Sequence, residues 1–440
     1  MKSPLALRIG LVMGLAAVAA AFADEPLHFF DFTEGTKIKG FFVQRDGDLY
    51  FASEKGGSPN YGYVGRFCPT NRQITVLYEF PALTKAKGLV AVGDEMWFVT
   101  ETNGAAHYGY VGCFHPGSNT VEELCSFPAH TLAKSAPFVL GTNGFFFFTE
   151  AGGTNGTGAL MRYSRDGGLA TACSFTPATG LKPEARPVFL DGKLYFGSRE
   201  GGDLTQQGGK GAGTLGTLDL ATGAIVKLLD LNATNHGARI KSLLPGAGRI
   251  YYTTDEGGDL TLNGGKGNGA MGFFDSATLA VTKLLTCNGT NTGTKPKCLV
   301  AIEDRVYFNC GEGGTNGCGA FYVVADGTNL SRIATLGVPF GNKSDMLTLY
   351  GNRLFCATEQ GCANWLGGIS AFEVDVAPRE LSVQSEGGRV SLAWDVLAND
   401  CVLESGPALD GEWRPVAGPG ATNAVVDPAA ATAFFRLRRE

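Results

Sequence analysis

Short apolar and aromatic runs alternate with glycine-rich turns along the chain, and one pattern occurs seven times. Each repeat has an apolar strand, a tight turn, an aromatic strand ending near an acid, a glycine-rich loop, a glycine-punctuated strand and a last apolar strand. The aromatic strands are marked by Tyr50, Trp97, Phe146, Tyr195, Tyr251, Tyr307 and Phe355. Spacings of 47 to 56 residues hold four strands and their connections. The pattern predicts an all-β fold, a seven-bladed β-propeller.

The four strands of a repeat are called a, b, c and d here, and repeat two predicts them at 89–92, 95–101, 110–114 and 121–127. The run Phe145 to Phe148 shows no alternation of apolar and polar residues. Continuous apolar runs are typical of strands buried on both faces. We therefore expect the blades to stack against each other.

The seventh repeat has no d strand of its own, because it ends after 369–374 and a proline follows at Pro378. Residues 27–32 (LHFFDF) are similar to the d-strand sequences VLYEF and ELCSF. A strand from the chain start that completes the last blade closes the ring and removes its open edges. We predict this closure.

Repeats four and five carry a more specific pattern, with Leu194 to Ser198, Gly201-Gly202, Gly211 to Thr214, and a hydrophobic strand after Thr222-Gly223. This pattern resembles the GloVer-type tandem repeat of bacterial exported proteins, over about residues 27 to 375. The resemblance implies a repeat propeller and no particular activity. Residues 378–440 differ in spacing and resemble the small β domain that ends such proteins, with predicted strands at 389–395, 401–405, 412–417 and 434–438.

Residues 1–23 are predicted to be a signal peptide, since two basic residues precede an apolar run that ends in Ala21-Phe22-Ala23. The propeller is then expected at 24–377, in an exported chain whose compartment is periplasm, cell surface or medium. No other apolar segment is long enough to cross a membrane. Loss of Lys2 and Arg8 takes the formal net charge from -6 to about -8, which argues against nucleic acid as a partner.

Eleven cysteines in an exported chain allow disulfides. Close spacing suggests four local pairs, namely Cys310 with Cys318, Cys356 with Cys362, Cys113 with Cys125, and Cys287 with Cys298. The odd count leaves one thiol over, and Cys401 is the expected one.

Among the candidate functional residues, the charged ones recur most clearly from repeat to repeat. Cations are expected where strand a begins, at Lys39, Lys87, Lys134, Arg186, Lys241, Lys297 and Lys343. Acids are expected where strand b ends, at Glu54, Glu101, Glu150, Asp255 and Glu359, while repeat four has Arg199 there. Two interpretations stay open: repeated structural ion pairs, or a positive funnel at the channel mouth that binds an anionic or carbohydrate ligand. In repeat four, Arg186 is expected to depend on Glu200.

Other motifs are weak. The loops 201–211 and 257–267 contain Gly-Gly-Lys-Gly without the spacing of a phosphate-binding loop, and Asp203 and Asp259 fit either turn capping or calcium. His107, His115 and His130 fall in repeat two. No cofactor, metal-binding or catalytic motif is recognised, so none is predicted.

Three functions are compatible with these observations: a binding or scaffold module for a small molecule, glycan or surface protein, an enzyme, or a passive spacer. The enzyme alternative depends on blades one to three, where Trp97 to Glu101 with Tyr110-Val111-Gly112 is similar to streptogramin-lyase-like propellers, a family of metal-dependent lyases. That resemblance transfers no catalytic or metal-binding residue to this chain.

Overall fold

The computed structural model describes two compact units, 24–374 and the terminal residues 1–23 with 375–440, each with described and undescribed parts. Described residues of the first unit are 25–31, 34 and 37–374, except 59, 106–107, 129–134, 142–143, 191, 221, 247, 303 and 362–365. In the second unit they are 10–11, 381–386, 389–394, 401–406, 414–417, 423–426 and 434–439.

The first unit is a seven-bladed β-propeller of antiparallel sheets, each ordered a-b-c-d from its first strand to its last. The a strands are Ile38–Arg45, Val90–Val92, Ser135–Gly141, Val188–Leu190, Ala238–Gly246, Thr294–Ile302 and Asn342–Tyr350. The b strands are Asp48–Ser53, Glu95–Val99, Gly144–Thr149, Lys193–Glu200, Arg249–Glu256, Arg305–Glu312 and Arg353–Gln360. The predicted fold class is confirmed.

The outer half of each blade consists of strands c and d. The c strands are Tyr63–Cys68, Tyr110–His115, Ala159–Ser164, Thr214–Leu218, Ala270–Asp275, Ala320–Ala325 and Gly368–Glu373. The d strands are Gln73–Glu79, Thr120–Ser126, Gly168–Ser174, Ile225–Asp230, Val281–Thr286, Asn329–Thr335 and, for blade seven, Glu25–Phe29. Blade four has a fifth strand, Leu181–Pro183, and three 3₁₀ turns lie at Gln207–Gly209, Asn263–Gly265 and Val338–Phe340.

The blades stack through seven apolar clusters of the described residues, one between each pair of neighbouring blades. Phe145 and Phe147 pack in the cluster between blades two and three, whereas Phe146 and Phe148 pack in the cluster between blades three and four. Because successive side chains of a strand point to opposite faces, the run of four phenylalanines serves both neighbours. This explains why the run shows no alternation.

A glycine before strand c lets the chain turn closely past strand b. At Gly213 the backbone φ is +100°, and a Cβ there would lie 2.3 Å from the Ser198 carbonyl oxygen. The next residue, Thr214, donates its backbone N–H to the Ser198 hydroxyl over 2.8 Å. The b-strand threonines Thr100, Thr254 and Thr358 accept the corresponding N–H in their blades. This turn starts strand c, and it needs both the glycine and the hydroxyl.

The N-terminal strand closes the ring as predicted, two residues earlier than expected. Glu25–Phe29 pairs antiparallel with Gly368–Glu373, and His28 lies opposite Ile369. The next residue, Phe30, donates its N–H to the Gly367 carbonyl over 3.1 Å and is fully buried.

The second unit contains two small sheets. One is formed by Leu381–Glu386, Arg389–Trp394 and Asn423–Val426, and the other by Cys401–Gly406, Arg414–Ala417 and Phe434–Arg439. The strands Leu381–Glu386 and Asn423–Val426 were not predicted. Gly10–Leu11, inside the predicted leader, pairs parallel with Phe434–Arg439.

The predicted local disulfides are wrong where the structure describes both partners. Cys113, Cys125, Cys310 and Cys318 are thiols, and so is Cys287, which excludes three of the four pairs. The fourth pair includes Cys362, which lies outside the described residues. Cys287 and Cys310 are in contact, with sulfur atoms 3.8 Å apart between blades five and six. Close spacing along the chain was misleading for Cys113 and Cys125, because Cys113 lies opposite Glu122 and Cys125 lies opposite Val111.

Within the described part of the chain, the structure contains no helix with the length and apolar character needed to cross a bilayer.

Candidate ligand site at the channel mouth

The a strands surround a cavity of about 800 Å³. Five of the predicted cations line it: Lys39, Lys87, Arg186, Lys241 and Lys297. Apolar side chains further along the a strands, such as Val188, Leu243 and Val300, form the rest of its wall. This volume is in the range of small-molecule sites.

A bulge in strand a carries these side chains into the channel. In blade five the pairing shifts between Ile240 opposite Thr254 and Ser242 opposite Thr253, so Lys241 is the extra residue. Similar shifts occur at this end of strand a in blades one, three, six and seven. A bulge redirects the local side chains, and here it separates two cation positions that the sequence places two residues apart.

The first position, called the outer cation, was missed in the sequence analysis. It pairs with an acid at the end of strand b of its own blade. The pairs are Lys37–Glu54 at 3.0 Å, Lys85–Glu101 at 3.8 Å, Lys182–Glu200 at 2.8 Å, Arg239–Glu256 at 3.0 Å and Lys295–Glu312 at 3.1 Å. The available signal was the recurring Lys/Arg-x-Lys spacing at 37–39, 85–87, 239–241 and 295–297.

The second position, two residues later, is called the inner position and faces the channel. Here Lys39 binds Glu359 of blade seven, and Lys87 binds Glu54 of blade one. Lys87 also binds Glu101 at 2.8 Å. These cations and acids therefore lie on one face, as expected. In both blades the inner lysine binds the acid of the preceding blade.

Two predicted cations do not hold the inner position. The register of blade seven, Asn342 opposite Gln360 and Ser344 opposite Thr358, gives Lys343 the outer position. In blade four, Leu181 lies opposite Glu200 and Pro183 opposite Ser198, so Glu184 takes the inner position. Between Pro183 and Val188 the chain has two more residues than strand b opposite it, which moves Arg186 out of the expected register. Lys134 lies outside the described residues.

Glu184 is a site residue that the sequence analysis missed. It binds Lys241 and lies 3.5 Å from Arg199. Burial raises the pKa of Glu184, but Lys241, Arg199 and Lys297 outweigh burial and hold this pKa below its ordinary value. Blade four has Arg199 where other blades have an acid at the end of strand b. Glu184 supplies the negative charge that is missing at that position.

Arg186 lies beyond this ring, inside the cavity. Its Nε donates to the Phe138 carbonyl over 3.1 Å, and its guanidinium lies 5.1 Å from the centre of the Phe41 ring across the channel. Among the described residues, no carboxylate lies within ion-pair distance of Arg186; the expected partner Glu200 binds Lys182 instead. Burial lowers the pKa of Arg186, and the group stays charged.

The remaining predicted acids differ in position. Glu101 and Glu150 line the cavity, whereas Glu359 and Glu54 approach it through their lysine partners. Asp255 is partly buried, and its Oδ1 has no hydrogen-bond partner among the described residues.

The two loop aspartates cap turns. Asp203 accepts hydrogen bonds from the Thr205 N–H at 3.0 Å and hydroxyl at 2.7 Å, and Asp259 accepts the matching pair from Thr261. These contacts support the turn-capping alternative. His107 and His130 lie outside the described residues, and His115 is the last residue of strand c in blade two.

Comparison with known proteins agrees with the fold. No protein-family model matches the chain, and no curated protein matches it. A similar solved structure is the extracellular domain of the hybrid two-component system BT4673 from B. thetaiotaomicron, with 10% identity, a TM-score of 0.56, and coverage of 89% of this chain and 47% of that one. This chain therefore spans about half of that domain's length.

Two further similar structures score lower. The computationally designed Ika8 protein has 11% identity and a TM-score of 0.49, covering 84% of this chain and 96% of its own. BamB from Moraxella catarrhalis has 12% identity and a TM-score of 0.44, covering 76% and 85%. At such identities the likeness concerns the fold alone.

Proposed function

We propose that this chain is an exported, non-catalytic binding module whose channel mouth takes a small molecule with an anionic group. The observation that carries the proposal is Arg186, a charged guanidinium that lines an 800 Å³ cavity without a carboxylate partner among the described residues. A guanidinium has five N–H donors in a fork that fits a carboxylate. Its one hydrogen bond to a described residue uses Nε.

Several other charged side chains of the cavity form ion pairs within the protein. Lys39, Lys87 and Lys241 each bind a glutamate, which supports the ion-pair interpretation for these three. The predicted funnel of seven free cations is therefore reduced, in our proposal, to Arg186 as the anchor of the ligand, with Lys297 contributing charge near Glu184. The apolar wall beyond Arg186 suits the uncharged body of the ligand.

Export and repeat family are also part of the proposal. The leader pattern at 1–23 supports export, and an N-terminus at Asp24 in the protein recovered from cells is the check. The repeats of blades four and five support the GloVer type, with the second unit as its small C-terminal β domain.

The test is calorimetric titration with probes matched in size and different in charge, glucuronate against glucose and hexanoate against hexanol. We expect saturable binding of at least one acid and none of its neutral partner. Arg186→Gln should weaken the acid's binding at least tenfold, since it removes the anchoring charge. The matched control is Arg332→Gln, because Arg332 is exposed on an outer strand and outside the cavity.

Equal binding by Arg186→Gln and the unmodified protein, or equal binding of charged and neutral probes, contradicts the proposal. Charge reversal at Lys87 and Lys241 would be a poorer test. It places new carboxylates beside Glu54 and Glu184, so a loss of binding would be mixed with a loss of stability.

A further inference from the structure

Three different metal-ligating side chains meet at the other face of the propeller, where strands a and b join. Glu95 begins strand b of blade two, and Cys113 and His115 lie on the neighbouring strand c. Trp97 pairs with Cys113, and because side chains alternate along a strand, Glu95, Cys113 and His115 lie on one side of the sheet. In the described part of the chain, this is the one group of three or more such residues close enough to hold an ion.

The distances between the three ligand atoms are close to those of a metal site. Cys113 Sγ is 3.9 Å from His115 Nδ1, which is 3.8 Å from Glu95 Oε1, and all three ligand atoms lie within 4.8 Å of one another. Zinc bond lengths of about 2.0 to 2.3 Å in a tetrahedron place such donor atoms about 3.4 to 3.6 Å apart. The two shorter separations need to contract by a few tenths of an ångström, and the one between Cys113 and Glu95 by up to about 1.3 Å, which small side-chain rotations can provide.

The groups around the three ligands support the same interpretation. His115 Nε2 lies 3.4 Å from Glu122 Oε2, so the ring nitrogen that faces away from the sulfur has a carboxylate partner. A metal-bound histidine uses its second nitrogen in this way. Arg165 of blade three donates to both Glu95 Oε1 and Oε2 at 2.7 Å, so zinc shares Oε1 with Arg165, and Trp97 donates to Glu95 Oε2 at 2.7 Å. These contacts fix the carboxylate beside the histidine.

We propose that Cys113, His115 and Glu95 form a zinc site in which Glu122 orients His115. Sulfur, imidazole and carboxylate together are a zinc donor set, and three protein ligands leave a fourth position for water. His115 and Glu122 are 32% and 50% exposed, so an ion reaches the site from solvent. On binding, zinc replaces the proton of the Cys113 thiol, and this proton passes to the buffer.

The experiment titrates Zn²⁺ and Co²⁺ into the metal-stripped, reduced full-length protein. We expect one ion per chain and, with Co²⁺, a sulfur-to-metal charge-transfer band. Cys113→Ser should abolish the band, and His115→Gln and Glu122→Gln should each weaken zinc binding about 10- to 100-fold. The matched controls are Cys125→Ser and Glu123→Gln, in strand d of the same blade and outside the cluster, which should bind as the unmodified protein does.

The site does not exist if the folded protein binds no stoichiometric zinc, or if Cys113→Ser binds zinc as tightly as before. In that case the cluster is a structural ion pair of Arg165 and Glu95 with a thiol beside it. Cys113 is fully buried, so each variant's circular dichroism and melting temperature are recorded. His115→Gln, at a partly exposed residue, carries the same test if Cys113→Ser fails to fold.

Discussion

Glu54 connects two blades with a carboxylate that is only 4% exposed. It binds Lys37 of its own blade at 3.0 Å and Lys87 of the next blade. Burial raises the pKa of Glu54, but Lys87, then Lys37 and the more distant Lys39, outweigh it and hold the pKa below the ordinary 4.5. A carboxylate whose folded-state pKa is lowered stabilises the fold at pH above its unfolded-state value, and this stability is lost as pH falls through the folded-state pKa.

We therefore predict that Glu54→Gln lowers the free energy of unfolding by about 1 to 3 kcal/mol at pH 7, since two part-buried ammonium groups lose their shared partner. The difference from the unmodified protein should shrink as pH falls below the ordinary 4.5 and through the lowered folded-state pKa of Glu54. Urea unfolding at pH 7 and pH 3 measures it, with Asp166→Asn on an exposed turn as the control. A difference that stays constant with pH contradicts the assignment.

At the scale of the strand, a blade is stable because each of its faces packs against a neighbouring blade. The N-terminal strand shows how unevenly its side chains share this role. Phe30 is fully buried in the cluster between blades seven and one, together with Leu27, whereas Phe29 is 42% exposed. The two adjacent phenylalanines thus have the same chemistry and opposite surroundings.

We predict that Phe30→Ala lowers the free energy of unfolding by about 3 to 5 kcal/mol, because it removes a fully buried ring from this cluster. Phe29→Ala is the matched control and should cost less than about 1 kcal/mol. Chemical denaturation of the two variants compares them directly. Equal losses would mean that residues 25–30 do not pack in blade seven as described.

At the scale of the molecule, the ring closes through one strand that is more than 310 residues away in sequence from the rest of its blade. All seven apolar clusters of the described residues belong to the unit 24–374. Closure removes the exposed strand edge that an open array of blades would leave.

Two truncations test this arrangement. Removal of 378–440 should leave the β-propeller folded, whereas removal of 24–33 should abolish cooperative unfolding or lower its midpoint strongly, because blade seven loses its outer strand. Circular dichroism during thermal unfolding follows both variants. Loss of folding on removal of 378–440 would show that the propeller depends on the C-terminal unit.

The sequence alone was sufficient to predict seven blades, the order of strands and the closing strand, because each of these features appears in the sequence as a repeated local pattern. Glycines at turns and hydroxyl groups at the ends of b strands meet local requirements of the backbone. Continuous aromatic runs mark strands that are buried on both faces. Two strands of the C-terminal unit were missed, since Leu381–Glu386 and Asn423–Val426 occur outside any repeat.

The charged site depended on the tertiary structure. The sequence analysis assigned Arg186 to the ring of cations, but the register of blade four gives that position to Glu184. Bulges change register without a clear sequence signature, and pairing between neighbouring blades, as in Lys87 with Glu54, joins residues from different repeats. The sequence by itself therefore determined the repeat and its closure, whereas only the folded ring decided which charges pair and left Arg186 in the cavity.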